Sequence, residues 1–329
     1  MTTAEFDRDV RGYPTGNRDH TSVLVRVPAT SANLGPGFDA FGLALGLHDE
    51  VEARVITSGL SIEVTGEGAA DIADAREQHL IVRAMRAAFD ELGAGQPPGI
   101  ALRCVNRIPH GRGLGSSAAA IVAGVLAARA LAGAPLGPDE ALPLANQLEG
   151  HPDNVAACLY GGLTIAWLSD GHARAVRLEP VVGITPVAII APAPVRTEVA
   201  RGLLPPMVPH DDAARNAGRA ALLVAALTQR PEALLDATED RLHQDYRASA
   251  MPATRDLVAR LRAARVPAVV SGAGPSVLAF VVPGSSGDGM DILDSTVKET
   301  GIDWRISPLD IERHGASAYQ GRRAPGEAG

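Results

Sequence analysis

A glycine-rich stretch that runs into an alanine-rich segment dominates the middle of the chain. Residues 107–117 read RIPHGRGLGSS, and segment 118–134 is almost wholly apolar. Alternate glycines allow positive φ and the close approach of another group, while alanine has the highest helix propensity. Two serines stand where the helix should begin, a position at which serine caps well. The stretch predicts either a tight turn into a helix or a phosphate-binding loop at a helix N-terminus.

Two well-known nucleotide motifs do not account for this stretch. The P-loop requires Gly-Lys-Ser/Thr, and the one lysine of the chain is Lys298. The dinucleotide fingerprint requires a strand before G-x-G-x-x-G and an acidic residue about 20 positions after it, whereas the residues after Ala118 are apolar or arginine until Asp139. A nucleotide bound here would be held in another way.

Composition narrows the class of protein. The 329 residues suffice for two domains, and 46% hydrophobic with 21% charged residues is typical of a globular chain. A net charge of −8 argues against a nucleic-acid partner. Cys104 and Cys158 are too few for a disulfide framework, which favours a reducing compartment.

Residues 1–20 lack the apolar core of a signal peptide, and no apolar run reaches the ~20 residues of a membrane span. We therefore predict a cytoplasmic protein without a membrane partner.

The order of the predicted elements indicates an α+β fold. Hairpins and helices alternate without regular βαβ repetition. We predict a disordered arm over 1–20, an N-terminal domain over 21–180, a C-terminal domain over 181–312 and a disordered tail over 313–329.

Polar residues concentrate in two further segments. Residues 28–39 read PATSANLGPGFD and predict an ordered loop that holds Asn33 and Asp39 either for a ligand or for its own turns. Glu149, His151, Asp153 and Asn154 crowd the end of a predicted helix. Burying such groups without a task would cost desolvation energy, so the segment favours a functional site.

Three segments together resemble the GHMP kinases: PATSANLGPGFD at 28–39, GLGSSAA at 113–119 and SGAGPS at 271–276. Within that superfamily, the first segment and EGHPDNVA at 149–156 resemble the branch that phosphorylates homoserine. The resemblance spans roughly residues 23–310. It implies a two-domain GHMP kinase fold with the active site in the inter-domain cleft, often in a homodimer. It also implies transfer of phosphate from ATP to the hydroxyl of L-homoserine, giving O-phospho-L-homoserine for threonine biosynthesis.

The resemblance also implies roles for individual residues. Those expected around ATP are Pro109, Gly111, Gly113, Leu114, Gly115, Ser116 and Ser117, with Gly272 and Gly274 from the second domain. Ser117 and Glu149 are expected to hold Mg²⁺, a cation that takes few protein oxygen ligands.

The expected acceptor site combines both charges of an amino acid. Asp39 suits an ammonium group, and the guanidinium groups of Arg201 and Arg247 suit a carboxylate. The full substrate-binding set is Asn33, Asp39, His151, Asn154, Arg201 and Arg247. The expected catalytic residues are Asn154, His151 and Arg201, acting by position and charge, with Asp153 ranked below them as a proton acceptor.

Two alternatives stay open at this point. A GHMP kinase for another small alcohol, such as mevalonate or a sugar, would not need Asp39 together with Arg201 and Arg247. A non-catalytic regulatory protein with this fold would be expected to lose Glu149 or Ser117. Some relatives carry an asparagine near the adenine, where Gln78-His79-Leu80 stands here.

Overall fold

A computed structural model describes residues 22–72, 75–195, 197–282 and 289–321, so the predicted arm over 1–20 lies outside the described residues. The strands within these ranges are β1 (Ser22–Ala32), β2 (Phe41–Ile56), β3 (Gly59–Gly66), β4 (Gly99–Asn106), β5 (Leu163–Ser169), β6 (His172–Leu178), β7 (Thr185–Ile190), β8 (Ala268–Val270), β9 (Val277–Val281), β10 (Arg305–Pro308) and β11 (Ser317–Gly321). The helices are α1 (Ala69–Ile72), α2 (Leu80–Glu91), α3 (Ser116–Ala132), α4 (Pro138–Glu149), α5 (Pro152–Tyr160), α6 (Thr197–Gly202), α7 (His210–Thr228), α8 (Leu234–Ala237), α9 (Gln244–Arg247), α10 (Pro252–Ala263) and α11 (Gly289–Lys298).

The first sheet is built around the long strand β2. Its strand order is β11-β1-β2-β4-β3, and β5 pairs with the beginning of β2 and with β6. The β3–β4 pair is parallel, whereas β2 is antiparallel to β1, β4 and β5. Residues 41–43 at the start of β2 pair with β5, and residues 50–56 at its end pair with β4. The two ends of β2 therefore form hydrogen bonds with different strands.

The second sheet is antiparallel, with the order β10-β7-β9-β8. Residues on alternate sides of β7 enter different hydrophobic clusters, as expected for a strand buried on both faces. Val187 and Ile189 pack with Leu257 of α10 and Val297 of α11. Ala188 and Ile190 join the main cluster, which also contains buried residues of β1, β2, α2 and α3. The main core therefore includes residues from both sheets.

Helix α3 is the buried centre of the N-terminal part. The sequence predicts a buried helix over 118–134, and the observed helix has almost its whole length inside the main cluster. Both ends are glycines in the left-handed conformation, Gly115 with φ 71° and Gly133 with φ 71°. The expectation of a serine N-cap is wrong: Gly115 holds the cap position without a side-chain hydrogen bond, and Ser116 is the first helical residue.

Two predicted irregular segments contain strands. Residues 28–32, assigned to a loop, continue β1 beside β2, so the loop begins only at Asn33. The predicted disordered tail from residue 313 is wrong as far as residue 321, because β11 pairs antiparallel with β1. Residues 322–329 lie outside the described part.

The boundary predicted near residue 180 falls between β6 and β7, which belong to different sheets, and stays a prediction. Among the described residues, no helix has the length and apolar character to cross a membrane.

Candidate active site

The three glycine-rich segments meet at one place. The Asn33 side-chain amide donates a 2.8 Å hydrogen bond to the Gly272 carbonyl, and the Gly272 amide donates to the Ala32 carbonyl at 3.1 Å. The Ser271 hydroxyl lies 2.6 Å from the Gly113 carbonyl oxygen. The turn between β8 and β9 is thereby fixed against the end of β1 and against the loop that precedes α3.

The loop after β1 has an unusual backbone. Asn33, Leu34 and Asp39 all have positive φ, at 67°, 51° and 54°, a region that non-glycine residues rarely adopt. The Asn33 side-chain oxygen accepts a 2.9 Å hydrogen bond from the Asp39 amide, which closes the loop on itself. Backbone strain of this kind persists where surrounding contacts enforce it, and it concentrates at ligand sites.

Gly113 and Gly115 are required by close packing as well as by positive φ. A Cβ at Gly113 would lie 2.2 Å from the Ser271 carbonyl oxygen, and one at Gly115 would lie 2.0 Å from the Thr30 hydroxyl. Since no side chain caps α3, its first N–H groups are available to an anion. The conformation of this segment therefore fits a phosphate-binding loop.

A cavity of about 170 Å³ opens between these segments. The predicted site residues that line it are Asn33, Gly111, Gly113, Gly115, Ser116, Ser117, Glu149, His151, Asn154, Arg201, Arg247 and Gly272. Pro109, Leu114 and Gly274 do not line it, and the Leu114 side chain lies in the main hydrophobic cluster. Asp39 is outside the lining but contacts Arg201.

Ser117 and Glu149 face each other at the cavity. The Ser117 hydroxyl donates a 2.7 Å hydrogen bond to the Glu149 carboxylate. Burial raises the pKa of Glu149 to about 7, and nearby Asp153 adds to the increase while the Ser117 hydrogen bond opposes it. A bound cation would favour the ionised carboxylate. One carboxylate and one hydroxyl next to a phosphate-binding loop fit Mg²⁺, which takes its remaining oxygens from phosphate and water. The described residues contain no cluster of three or more His, Cys, Asp or Glu suited to a metal.

Asn154 is held from two sides at the start of α5. Its side-chain oxygen accepts a 2.8 Å hydrogen bond from the Thr30 hydroxyl, and its side-chain nitrogen lies 3.3 Å from the Asp153 carboxylate. Burial raises the pKa of Asp153 to about 6, with Asp39 adding to the increase and the hydrogen bond from the Asn154 amide opposing it. Asn154 thus presents its amide group to the cavity in a fixed orientation.

Two charged residues of the acceptor side, Arg201 and Asp39, already pair with each other. Arg201 makes a two-pronged contact with Asp39, with Nη2–Oδ1 at 2.8 Å and Nη1–Oδ2 at 3.3 Å. His151 lies close to this pair: burial lowers the pKa of His151, Arg201 lowers it further, and Asp39 raises it. A positive and a negative group therefore stand together at one end of the cavity.

Arg247 is buried although it lines the cavity, with 1% of its surface exposed. Its guanidinium carbon lies 5.2 Å from the centre of the Phe38 ring, and that of Arg201 lies 6.0 Å from the same centre. Three residues that support the site, Phe38, Thr30 and His243, were not among the predicted site residues. Thr30 and Phe38 belong to the 28–39 motif, whereas the role of His243 depends on tertiary contacts that no local pattern reveals.

A second cavity, of about 310 Å³, adjoins the same helix end. It shares Ser116 and Ser117 with the first cavity and has a largely apolar lining that includes Leu80, Ile81 and Val27. His79 lines it, and neither of its buried ring nitrogens has a hydrogen-bond partner in the described part of the chain. This cavity has the size and the few polar groups typical of a small-molecule site.

Comparison with known proteins agrees with this geometry. The model of the GHMP kinases N terminal domain matches residues 79–162, the region from α2 to the start of β5. The homoserine kinase of Streptomyces coelicolor is 57% identical over 299 residues, covering 90% of this chain and 94% of that protein. The homoserine kinase of Clavibacter michiganensis subsp. michiganensis is 47% identical over 310 residues, covering 92% and 94%.

Solved structures show the same fold. The crystal structure of homoserine kinase from Cytophaga hutchinsonii superposes with a TM-score of 0.79 at 27% identity, covering 92% of this chain and 99% of that one. Mevalonate kinase of L. major, at 15% identity and a TM-score of 0.63, shares the fold alone. The architecture and the glycine-rich site thus define a kinase of the GHMP class. The extent and level of identity go further: the chain belongs to the homoserine kinase family.

Proposed function

We propose that this protein transfers the terminal phosphoryl group of ATP to the side-chain hydroxyl of L-homoserine, giving O-phospho-L-homoserine and ADP. The observation that carries the proposal is the cavity itself, which joins an uncapped helix N-terminus to a pair of opposite charges. The first feature suits the phosphates, and the second suits an acceptor that carries both an ammonium and a carboxylate.

The nucleotide would use both cavities. Its phosphates would lie against the loop 111–115 and the first turn of α3, where N–H groups and the helix dipole favour negative charge. The nucleoside would occupy the adjoining apolar cavity, whose lining also includes Ser116 and Ser117. His79 offers that cavity ring nitrogens without a protein partner, so it is positioned to contact the base.

The amino-acid end of the acceptor would enter between Asp39 and Arg201. Its ammonium would replace Arg201 as a partner of Asp39, and its carboxylate would take the guanidinium groups of Arg201 and Arg247. An acceptor with both charges therefore compensates both partners of the broken ion pair. Mevalonate has a carboxylate but no ammonium, so it would leave Asp39 unpaired on taking Arg201, and a neutral sugar has no charge to match either partner.

Catalysis would depend on orientation and charge rather than on a strong base, since phosphoryl transfer leaves little covalent work to the protein. The Asn154 amide, fixed by Thr30 and Asp153, would hold the acceptor hydroxyl in line with the donor phosphate. His151 and Arg201 would place positive or hydrogen-bonding groups near the charge that develops during transfer.

Ser117 and Glu149 would hold Mg²⁺, which supplies charge neutralisation at the phosphates when bound. Glu149→Gln is expected to lower kcat about 100-fold or more and to raise the Mg²⁺ concentration needed for half-maximal rate, because one anionic oxygen ligand is lost. Titrating Mg²⁺ at fixed ATP measures both effects. An unchanged metal requirement would remove Glu149 from the metal site.

The first test is an ADP-release assay with Mg²⁺ and ATP that compares L-homoserine, L-serine, mevalonate and galactose. Strong turnover of L-homoserine alone supports the proposal. Turnover of mevalonate or galactose would contradict the assignment of Asp39, Arg201 and Arg247, while ATP binding without any turnover would favour a regulatory role. The homodimer stays a prediction, which light scattering of the purified protein tests.

A further inference from the structure

His243 has no assigned role in the reaction, yet it lies directly behind the acceptor side of the cavity. Its side chain is fully buried, with 0% of its surface exposed. The ring stacks on Phe38 at a centroid distance of 5.1 Å and an interplanar angle of 23°. Phe38 in turn lies under the guanidinium groups of Arg201 and Arg247. The imidazole is therefore part of the layer that supports both arginines.

Both ring nitrogens of His243 have specific partners. Nε2 lies 2.9 Å from the Gly35 carbonyl oxygen, and Nδ1 lies 3.1 Å from Nη1 of Arg247. A carbonyl oxygen can only accept a hydrogen bond, and a guanidinium can only donate one. These partners require a neutral ring with its proton on Nε2 and a lone pair on Nδ1.

Protonation of the ring would remove the acceptor that Arg247 uses. Burial lowers the pKa of His243 and Arg247 lowers it further, whereas Asp240, the Gly35 carbonyl and Asp39 raise it. Asp240 lies 3.7 Å from Nε2, but its carboxylate also accepts hydrogen bonds from the backbone amides of Leu242, His243 and Gln244. The desolvated ring beside a guanidinium thus favours the neutral form that the geometry requires.

Arg247 is otherwise weakly restrained. Within the described ranges, the other hydrogen bond of its guanidinium is a long one, 3.5 Å from Nη1 to the Gly272 carbonyl oxygen. Its Nε is buried and has no partner among the residues that the structure describes. His243 therefore fixes one edge of the guanidinium, whose carbon lies 5.2 Å from the centre of the Phe38 ring, while donors remain for a ligand in the cavity.

We propose that His243 is a positioning residue, which holds Arg247 through its Nδ1 lone pair so that the guanidinium meets the carboxylate of the acceptor in a two-pronged geometry. The inference rests on the proposed function, because it takes a carboxylate-bearing acceptor as the ligand of Arg247. Orienting a planar fork in advance reduces the ordering that binding must otherwise supply.

Two amide variants separate the roles of the two ring nitrogens. In His243→Asn the side-chain oxygen takes the place of Nδ1 and can still accept from Arg247. In His243→Gln the amide nitrogen takes the place of Nε2, so donation to Gly35 survives but the acceptor is lost. His172→Gln, at the exposed first residue of β6, is the matched control.

We expect His243→Gln to raise the KM for L-homoserine about tenfold, the size typical of losing a hydrogen bond to a charged group, with the KM for ATP and kcat changed less than about threefold. His243→Asn should restore the KM to within about threefold of the unaltered chain, and His172→Gln should change neither constant. Thermal unfolding of each variant tests whether the fold is retained.

A double-mutant cycle gives the decisive comparison. If His243 acts through Arg247, adding His243→Gln to Arg247→Ala should lower kcat/KM for L-homoserine by less than about twofold. Independent, multiplying losses would overturn the proposal, as would a His243→Asn variant no better than His243→Gln. Calorimetric titration with L-homoserine repeats the comparison as Kd. A kinase assay that fails with the unaltered chain would contradict the proposed function, and the binding data would still decide the role of His243.

Discussion

Asp39 forms an ion pair with Arg201 in the absence of an acceptor. The contribution of its negative charge can be tested separately from that of its shape. Asp39→Asn retains the shape of the side chain but loses the carboxylate that pairs with Arg201. We expect the KM for L-homoserine to rise about tenfold or more, because an ammonium loses its anionic partner. The KM for ATP should change less than about twofold.

Steady-state kinetics with each substrate varied in turn measures this split. Asp303→Asn, at an exposed position outside the cavity lining, is the matched control and should leave both constants unchanged. An equal rise of both KM values would show that Asp39 supports the loop as a whole rather than the acceptor.

Asp153 has a carboxyl group whose ionisation opposes folding. Its pKa is raised from an ordinary value of 3.8 to about 6 by burial. Between these values the folded chain binds more protons than the unfolded chain, so its contribution to the unfolding free energy falls as the pH rises through about 4 to 6. Asp153→Asn can still accept the hydrogen bond from the Asn154 amide but carries no charge.

We therefore expect Asp153→Asn to be more stable than the unaltered chain at pH 8, by up to about 3 kcal/mol, and to lose this advantage near pH 4. Urea unfolding of both proteins at the two pH values measures the difference. A stability difference independent of pH would contradict the account, since a packing effect of the amide would be present at both.

At the scale of elements, the junction of β1 with α3 determines the phosphate site. Gly115 has positive φ, and a Cβ there would meet the Thr30 hydroxyl at 2.0 Å, the group that also holds Asn154. Gly93 has positive φ too, but a Cβ there would meet nothing within 4 Å. The two glycines therefore differ in crowding rather than in backbone conformation.

Alanine at either glycine should cost roughly 1–2 kcal/mol of stability for the left-handed conformation. Gly115→Ala should in addition lower kcat about 100-fold, because a displacement near 1 Å at the reacting groups is enough for such a loss. Gly93→Ala should retain full kcat. Urea unfolding and the ADP-release assay compare the variants, and equal activity of the two would show that Thr30 can move without consequence.

The elements differ in how far their sequence determines them. Helix α3 was predictable because alanine propensity, a flanking glycine and its apolar surface agree. Strand β11 was missed since its polar, short sequence carries no strong alternation, and its pairing with β1 depends on a partner nearly 300 residues away. Similarly, motifs indicated Asn33, Gly113 and Gly272, whereas His243 acts only through contacts that the complete fold creates.

At the scale of the whole molecule, β11 pairs residues 317–321 with residues 22–26 of β1, the first strand. Five residues of β1 are in register with β11, and Leu24 lies opposite Tyr319. A chain that ends at residue 316 should lose about 2 kcal/mol or more of unfolding free energy, through lost backbone hydrogen bonds and apolar contact. A chain that ends at residue 321 retains the strand and should match the 329-residue chain. Equal stability of both truncated chains in urea would show that β11 contributes nothing.

The contact between Asn33 and Gly272 spans 239 residues, and this separation has a consequence for synthesis of the protein. At roughly 5–20 residues per second, translation adds Gly272 about ten to fifty seconds after Asn33. Throughout that interval the nascent chain lacks the turn that braces both Asn33 and the Gly113 carbonyl. The capacity to bind substrates is thus acquired late, and a prematurely released product carries the glycine-rich loop without the enclosure that makes it a site.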